Sequence, residues 1–118
     1  LYQKYRIPLL LVENGLGAED VLLEDGAVHE QYRIEYLRRH LSEMKKAVEE
    51  DGVPLIGYTM WGCIDLVSAG SGEMKKRYGF VYVDKDDFGK GTYKRYKKDS
   101  FYWYKEMIES NGESLLEE

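Results

Sequence analysis

The sequence predicts an α/β fold, because two apolar runs typical of buried strands flank one long amphipathic helix. The first run, 8–12, is apolar without interruption, as expected for a strand buried on both faces of a parallel sheet. The second run covers 54–60, and the apolar spacing between the two runs is that of a helix. Strand, helix and strand in this order predict a right-handed βαβ unit with parallel strands.

The predicted helix covers 29–50 and carries one apolar stripe opposite a charged face. The members of the stripe are three or four residues apart, as on one side of a helix: Ile34, Leu37, Leu41, Met44 and Val48. Gly52 and Pro54 are typical of the residues that end a helix, so the second strand follows almost at once.

Beyond the second strand, 61–79 is predicted to form a long loop, followed by a small hairpin and a last helix. The alternation over 78–83 predicts one arm of the hairpin, with its turn at 86–89. Asp99 and Ser100 are predicted to cap the last helix, which runs to about Ser110.

A sheet of two strands leaves both of its edges open, and open edges are normally paired or covered. We therefore expect 1–118 to be a single fragment of a larger domain, with no independent second domain. The missing strands would come from the rest of a longer chain or from another copy of this one.

The composition excludes several classes of function. The chain has 118 residues, of which 17 are Lys or Arg and 22 are Asp or Glu, and its net charge of −5 disfavours nucleic-acid binding and binding to anionic membranes. At 43% hydrophobic and 33% charged residues it is typical of neither disordered nor membrane-spanning proteins. We expect no nucleic-acid partner and no membrane partner.

Cysteine and histidine are scarce. The single Cys63 excludes an internal disulfide, and with only His29 and His40 beside it no Cys/His metal cluster is expected. No basic neighbour in sequence would activate Cys63, which we expect to be packed inside. The opening residues lack the apolar stretch of a signal peptide, so the expected location is cytoplasmic.

Two candidate site residues follow the predicted strands. Glu13 comes directly after the first strand, and Trp61 after the second. Active sites of parallel α/β folds assemble at these carboxyl ends, where a carboxylate can attack a sugar carbon and an indole can stack on a pyranose ring. An acidic residue that merely starts a turn, and a Trp that merely packs in a core, would leave the same local pattern.

Ser68, Lys76 and Tyr78 lie on the loop that overhangs the same face. A hydroxyl, an ammonium and a phenol together can donate hydrogen bonds to the oxygens of a phosphate group. Taken without these neighbours, the basic run 75–77 is more typical of a solvated surface.

Several linked motifs resemble glycoside hydrolase family one, the retaining β-glycosidases that are built on a (β/α)8 barrel. Leu-Val-Glu-Asn-Gly at 11–15 resembles its strand seven, 33–41 its helix seven, and 58–65 its strand eight. Residues 77–84 resemble the closing hairpin of that family, and residues 98–104 resemble its last helix. The resemblance covers essentially the whole chain, in order, and implies its C-terminal part: strand seven, helix seven, strand eight, a phosphate loop with a small hairpin, and helix eight.

The resemblance assigns a role to each candidate. Glu13 would be the catalytic nucleophile, with Asn14 and Trp61 contacting the substrate. Where unphosphorylated β-glucosidases carry Glu and Trp in the loop after strand eight, this chain carries Ser68 and Ala69. Ser68, Lys76 and Tyr78 match the pattern of 6-phospho-β-glycosidases, and small Ala69 favours the phospho-β-glucosidase branch.

The implied activity is hydrolysis of 6-phospho-β-D-glucosides to glucose 6-phosphate and an alcohol or sugar, without metal or organic cofactor. The Asn-Glu motif that supplies the family's acid/base Glu does not occur in the 118 residues, so the chain alone is expected to be inactive. A plain β-glucosidase and a 6-phospho-β-galactosidase remain alternatives. So does a non-catalytic piece that self-associates.

Overall fold

The computed structural model describes residues 1–116, so the predicted end of the fragment at 118 lies outside the described residues. The helices and strands of the described part are α1 (Tyr2–Tyr5), β1 (Leu9–Leu11), α2 (Gln31–Glu49), β2 (Leu55–Tyr58), β3 (Val81–Val83), β4 (Arg95–Lys97) and α3 (Asp99–Glu109), followed by a 3-10 helix at Glu113–Leu116. No helix in this part is long and apolar enough to cross a membrane.

The predicted parallel βαβ unit is present. β1 pairs with β2, with Leu9 opposite Leu55 and Leu11 opposite Tyr58, and α2 connects the two strands. Both strands are shorter than the apolar runs that predicted them, because ladder pairing is confined to the stretch where the two strands face each other. Within residues 1–116 this sheet has two strands, and its apolar side chains stay uncovered: Leu10 is 50% and Ile56 71% exposed.

Helix α2 buries most of the predicted stripe. Ile34, Leu37 and Leu41 are buried, whereas Val48 in the last turn is exposed. Val48 lies beside an open groove between α2 and the end of α3, where no element of the described chain covers it. Leu37 and Leu41 form the core together with Phe80, and the ring of Phe80 stacks on Tyr104 of α3 at 4.6 Å between centroids.

The hairpin pairs β3 with β4, Val81 facing Lys97, and its predicted turn is only one part of the 84–94 connection. Gly89 N donates to Asp86 O at 3.2 Å within that turn. The predicted arm 78–83 is shortened to Val81–Val83, because the backbone before it pairs elsewhere. There Phe80 N donates to Cys63 O at 2.9 Å.

The N-cap of helix α3 lies one residue before the predicted cap. Asp99 is already helical, and the cap position is Lys98, whose side chain makes no capping bond. The free N–H of Ser100 donates instead to Glu30 Oε1, at 2.6 Å. The Glu30 carboxylate, which precedes α2, thus caps α3 in place of Asp99 and Ser100. Tertiary packing brings it to the N-terminus of α3.

Cys63 is exposed, contrary to the prediction that it is packed inside. Its carbonyl accepts hydrogen bonds from Phe80 and Val81, which fix the backbone here. Its thiol lies in an open groove with Met60 and Phe101, where the described chain provides no cover.

Candidate active site at the carboxyl ends of β1 and β2

Glu13 and Trp61 lie at the same edge of the sheet. β1 ends two residues before Glu13 and β2 three residues before Trp61, and since the strands are parallel both segments leave the sheet on one side. Trp61 N donates to Asn14 O at 2.7 Å, which ties the two segments together. Glu13 is exposed and available to a ligand.

Asn14 is oriented by the half-buried phenol of Tyr58. Tyr58 OH donates to Asn14 Oδ1 at 2.5 Å, and burial raises the pKa of Tyr58, so the phenol stays neutral and keeps its proton for this bond. The two side chains line one cavity with His40 and Met44 of α2, between sheet and helix. The amide oxygen of Asn14 is therefore engaged on the helix side of the sheet, and the predicted substrate contact of Asn14 stays a prediction.

The structure brings Ser68, Lys76 and Tyr78 together. Ser68 Oγ lies 3.4 Å from Tyr78 OH, and Lys76 Nζ lies 5.7 Å from the centroid of the Tyr78 ring. Hydrogen bonds from Ser68 and Lys76, together with the charge of Lys76, lower the pKa of Tyr78. Ser68 is buried, whereas the other two are partly accessible, and Ala69 beside them is exposed.

The loop that carries these residues, 68–78, is held by a hydrogen bond within the loop and by hydrogen bonds to the hairpin connection. Ser68 N donates to Glu73 O at 2.9 Å. Asp87 Oδ1 then accepts from Met74 N at 2.6 Å and from Lys75 N at 2.8 Å. Sequence reasoning missed Asp87, because within a turn motif an aspartate that holds another loop is indistinguishable from one that only favours the turn.

Arg77 is not solvent-exposed, although residues of a basic run typically are. Its guanidinium is buried, donates to Asp65 Oδ2 at 2.9 Å and to Val83 O at 2.7 Å, and stacks on Tyr82 at 3.9 Å from the ring centroid. Lys75 is exposed as the run suggests, and it pairs with Glu73.

Arg77 belongs to a buried ion network that joins the loop to both long helices. Lys98 is 0% exposed, and its ammonium bridges Asp65 Oδ1 at 2.7 Å and Asp20 Oδ2 at 2.6 Å. Arg33 of α2 contacts Asp20 and Glu30, both at 2.8 Å.

The charges of this network balance, with three cations and three carboxylates: Arg33, Arg77, Lys98, Asp20, Glu30 and Asp65. Burial acts to raise the pKa of Asp20, but the charges of Lys98 and Arg33 outweigh it and lower that pKa. Glu30 has its pKa raised, mainly by burial. These ion pairs could not be predicted from the sequence, because their partners lie up to 78 residues apart, as Asp20 and Lys98 do.

Metal-ligating side chains do not cluster in residues 1–116: no group of three or more His, Cys, Asp or Glu there could hold an ion. The expectation that no metal and no cofactor takes part stays a prediction.

Solved structures define the class of fold. The chain superimposes on the family 1 β-glucosidase from Thermotoga maritima with a TM-score of 0.82 and 41% identity, covering 94% of this chain and 24% of that one. The same enzyme in complex with isofagomine lactam matches equally well. The described βαβ unit, hairpin and α3 thus match a segment of the (β/α)8 barrel of that enzyme, and the predicted fold class is confirmed.

The sequence comparisons identify the family. The model described as glycosyl hydrolase family 1 matches residues 1–113, and the chain belongs to that family. It is 62% identical to the aryl-phospho-β-D-glucosidase BglA of Bacillus subtilis, over 97% of this chain, and 59% identical to the 6-phospho-β-glucosidase AscB of Escherichia coli, over 98%. It spans about a quarter of the length of these relatives, 24% in both cases.

Proposed function

We propose that the protein to which this chain belongs is a retaining 6-phospho-β-glucosidase, and that the chain carries its nucleophile and its phosphate site. The products would be glucose 6-phosphate and an alcohol or sugar. The observation that supports this most is the convergence of Ser68, Lys76 and Tyr78 on the segment that follows β2. The names of the relatives BglA and AscB agree with a phosphorylated substrate.

Glu13 is the proposed nucleophile. In a retaining reaction its carboxylate bonds to the anomeric carbon as the glycosidic bond breaks, and a second carboxyl group about 5 Å away protonates the leaving oxygen. Water then cleaves the glycosyl ester and releases the sugar. The second carboxyl group would come from the remainder of the barrel, so the chain by itself is expected to hydrolyse nothing.

The substrate would be held at both ends of the sugar. Trp61 packs against the pyranose ring, with Asn14 beside it, while Ser68, Lys76 and Tyr78 donate to the phosphate oxygens. Ala69 leaves room for the phosphorylated arm. Binding energy at this remote group can be used to position the ring for attack, which raises the rate rather than the affinity alone.

The partner of the open sheet would be the rest of the barrel. Exposed Leu10 and Ile56 mark the strands that neighbouring barrel strands and side chains would cover, and another copy of the chain is the alternative partner. A cytoplasmic location is part of the proposal, since substrates phosphorylated during uptake occur there. Light scattering on the isolated chain separates a monomer from the self-associating alternative.

The deciding measurement is the ratio of kcat/KM for an aryl 6-phospho-β-glucoside to that for the plain aryl β-glucoside, on the full-length protein. Several charge-assisted hydrogen bonds lost together should lower kcat/KM at least about a hundredfold for the plain substrate. A ratio near one would instead indicate a plain β-glucosidase. A larger kcat/KM for the aryl 6-phospho-β-galactoside would indicate the galacto branch.

A further inference from the structure

Gly17 lies against the two accessible side chains of the proposed phosphate site. Its neighbour Ala18 pairs with Arg77 in both directions, Ala18 N donating to Arg77 O at 2.9 Å and Arg77 N donating to Ala18 O at 2.7 Å. This isolated bridge brings the backbone of Gly17 alongside 76–78. The approach is close because Gly17 has no side chain.

A β-carbon on Gly17 would collide with the side chains on either side of Arg77. It would lie 2.6 Å from Cζ of Tyr78 and 2.8 Å from Cε of Lys76, both closer than real β-carbons come. Cε carries the ammonium of Lys76, so the atoms that must shift are those that would hold a phosphate group. Lys76 is flexible and would shift before the backbone does.

The backbone of Gly17 itself tolerates a side chain. Gly17 is absent from the glycines with positive φ, whereas Gly26 and Gly62 adopt that conformation. An alanine at 17 would therefore meet no backbone strain, and its effect would fall on Lys76 and Tyr78. A requirement for glycine here arises from the space that those two side chains occupy.

We infer that Gly17 is a specificity-determining residue, whose bare backbone lets Lys76 and Tyr78 converge with Ser68 on the phosphate group of the substrate. This inference rests on the proposed function and adds a residue that does not touch the substrate. Gly17 acts through the positions of the two donors. Any side chain at 17 would separate them and lower the preference for phosphorylated substrates.

The test compares Gly17→Ala with a matched control, Gly70→Ala, in the full-length protein. A β-carbon on Gly70, in the same 68–78 loop, meets nothing within 4 Å, and Gly70 also has no positive φ. For each variant the kcat/KM ratio of aryl 6-phospho-β-glucoside to plain aryl β-glucoside is measured. We expect Gly17→Ala to lower the ratio roughly tenfold or more, mainly through KM of the phosphorylated substrate, and Gly70→Ala to leave it unchanged.

A double-mutant cycle with Lys76→Ala shows whether the effect passes through the phosphate donors. If Gly17 acts through them, Gly17→Ala should change the ratio much less once the Lys76 ammonium has been removed. Fully additive effects of the two substitutions would overturn the inference, because they would mean that Gly17 and Lys76 act independently.

The remaining outcomes are also distinguishable. A wild-type protein without preference for the phosphorylated substrate overturns the proposed function, and this inference with it. A preference that survives intact in Gly17→Ala overturns the inference alone. An equal loss of kcat/KM on both substrates overturns the inference too. Gly17 would then be needed for folding or for catalysis in general, and not for binding the phosphate group.

Discussion

Within residues 1–116 Glu13 takes part in no ion pair, whereas other carboxylates near the site do. Asp20 and Asp65 are each held by two cations in the buried network. Glu13 is exposed after the carboxyl end of β1. The next residue, Asn14, accepts a backbone hydrogen bond from Trp61 N. The proposed role of Glu13 as nucleophile requires such a position, because the carboxylate must be free to reach a substrate.

If the proposed function is correct, replacing Glu13 by Gln should abolish turnover by the full-length protein and leave the fold intact. The amide cannot form the glycosyl ester, so kcat should fall by roughly three orders of magnitude or more. Because Glu13 is exposed, the free energy of unfolding should change by less than about 0.5 kcal/mol. Steady-state kinetics and thermal unfolding measure the two quantities.

The matched control is Glu24→Gln, which removes an equally exposed carboxylate from the connection between β1 and α2. It should keep wild-type activity. Substantial turnover by Glu13→Gln would contradict the nucleophile assignment. NMR of the first product anomer adds an independent check, since an inverted anomer would exclude the retaining mechanism.

At the scale of elements, the 68–78 loop is held on both sides of Lys76. Asp87 of the hairpin connection grips the backbone just before it, and Arg77 just after it is pinned by its pairing with Ala18 and by Asp65. A lysine side chain has much rotational freedom, so fixing its backbone narrows the region that its ammonium reaches. Asp87 is in this sense a positioning residue for Lys76.

Asp87→Ala should weaken the phosphorylated substrate selectively. Two backbone N–H groups lose their acceptor, the loop loosens, and kcat/KM for the phosphorylated substrate should fall by about threefold to thirtyfold. The plain glucoside carries no phosphate group for the loop to hold, so its kcat/KM should fall much less. Kinetics on both substrates measure the difference.

Asp87→Asn is the informative companion, because its amide oxygen still accepts from Met74 and Lys75 while the charge is gone. We expect it to behave nearly as wild type. A loss of equal size in both Asp87 variants would mean that the charge of Asp87 matters rather than its hold on the loop.

At the scale of the whole molecule, the buried ion network connects segments that are far apart in sequence. Through Asp20, Arg33 and Lys98 it joins the connection after β1 to the starts of α2 and α3. Asp65 and Arg77 extend it to the segment after β2 and to the 68–78 loop. Buried ion pairs add little net stability, but removing one partner leaves an unpaired buried charge at a cost of roughly 3–5 kcal/mol.

The network should make stability depend on pH in the acid range. The pKa of Asp20 is lowered from its ordinary value of 3.8, so its stabilising contribution is present above that pH and is lost as the pH falls through the lowered pKa. Glu30, with a raised pKa, has the opposite sign and binds its proton more readily when folded. Asp20→Asn removes the first contribution alone.

We therefore expect Asp20→Asn to lower the free energy of unfolding at pH 7 by about 3 kcal/mol and to flatten its pH dependence below 3.8. Urea unfolding midpoints at pH 7 and at several pH values below 3.8 measure both effects on the full-length protein. Asp51→Asn, at an exposed position just after α2, is the control and should match wild type. Identical acid slopes in wild type and Asp20→Asn would contradict the role of this carboxylate.

Local patterns in the sequence determined the elements that position the site. An unbroken apolar run, a stripe with helical spacing and a second run were enough to predict β1, α2 and β2 and their parallel pairing. Glu13 and Trp61 could then be placed at one edge of the sheet, because strand ends follow from strand order. These features could be predicted since each depends on neighbours a few residues away.

Tertiary structure decided how the site is held. Glu30 caps α3, Asp65 pairs with buried Arg77, and Asp87 holds the 68–78 loop, each across at least 12 residues of sequence. Cys63 is exposed because no part of the described chain covers it. Burial and long-range hydrogen bonding arise only when the elements pack, so composition and spacing carry no signal of them. Gly17 shows the same limit, because only in the folded chain would a β-carbon on Gly17 lie 2.6 Å from Cζ of Tyr78.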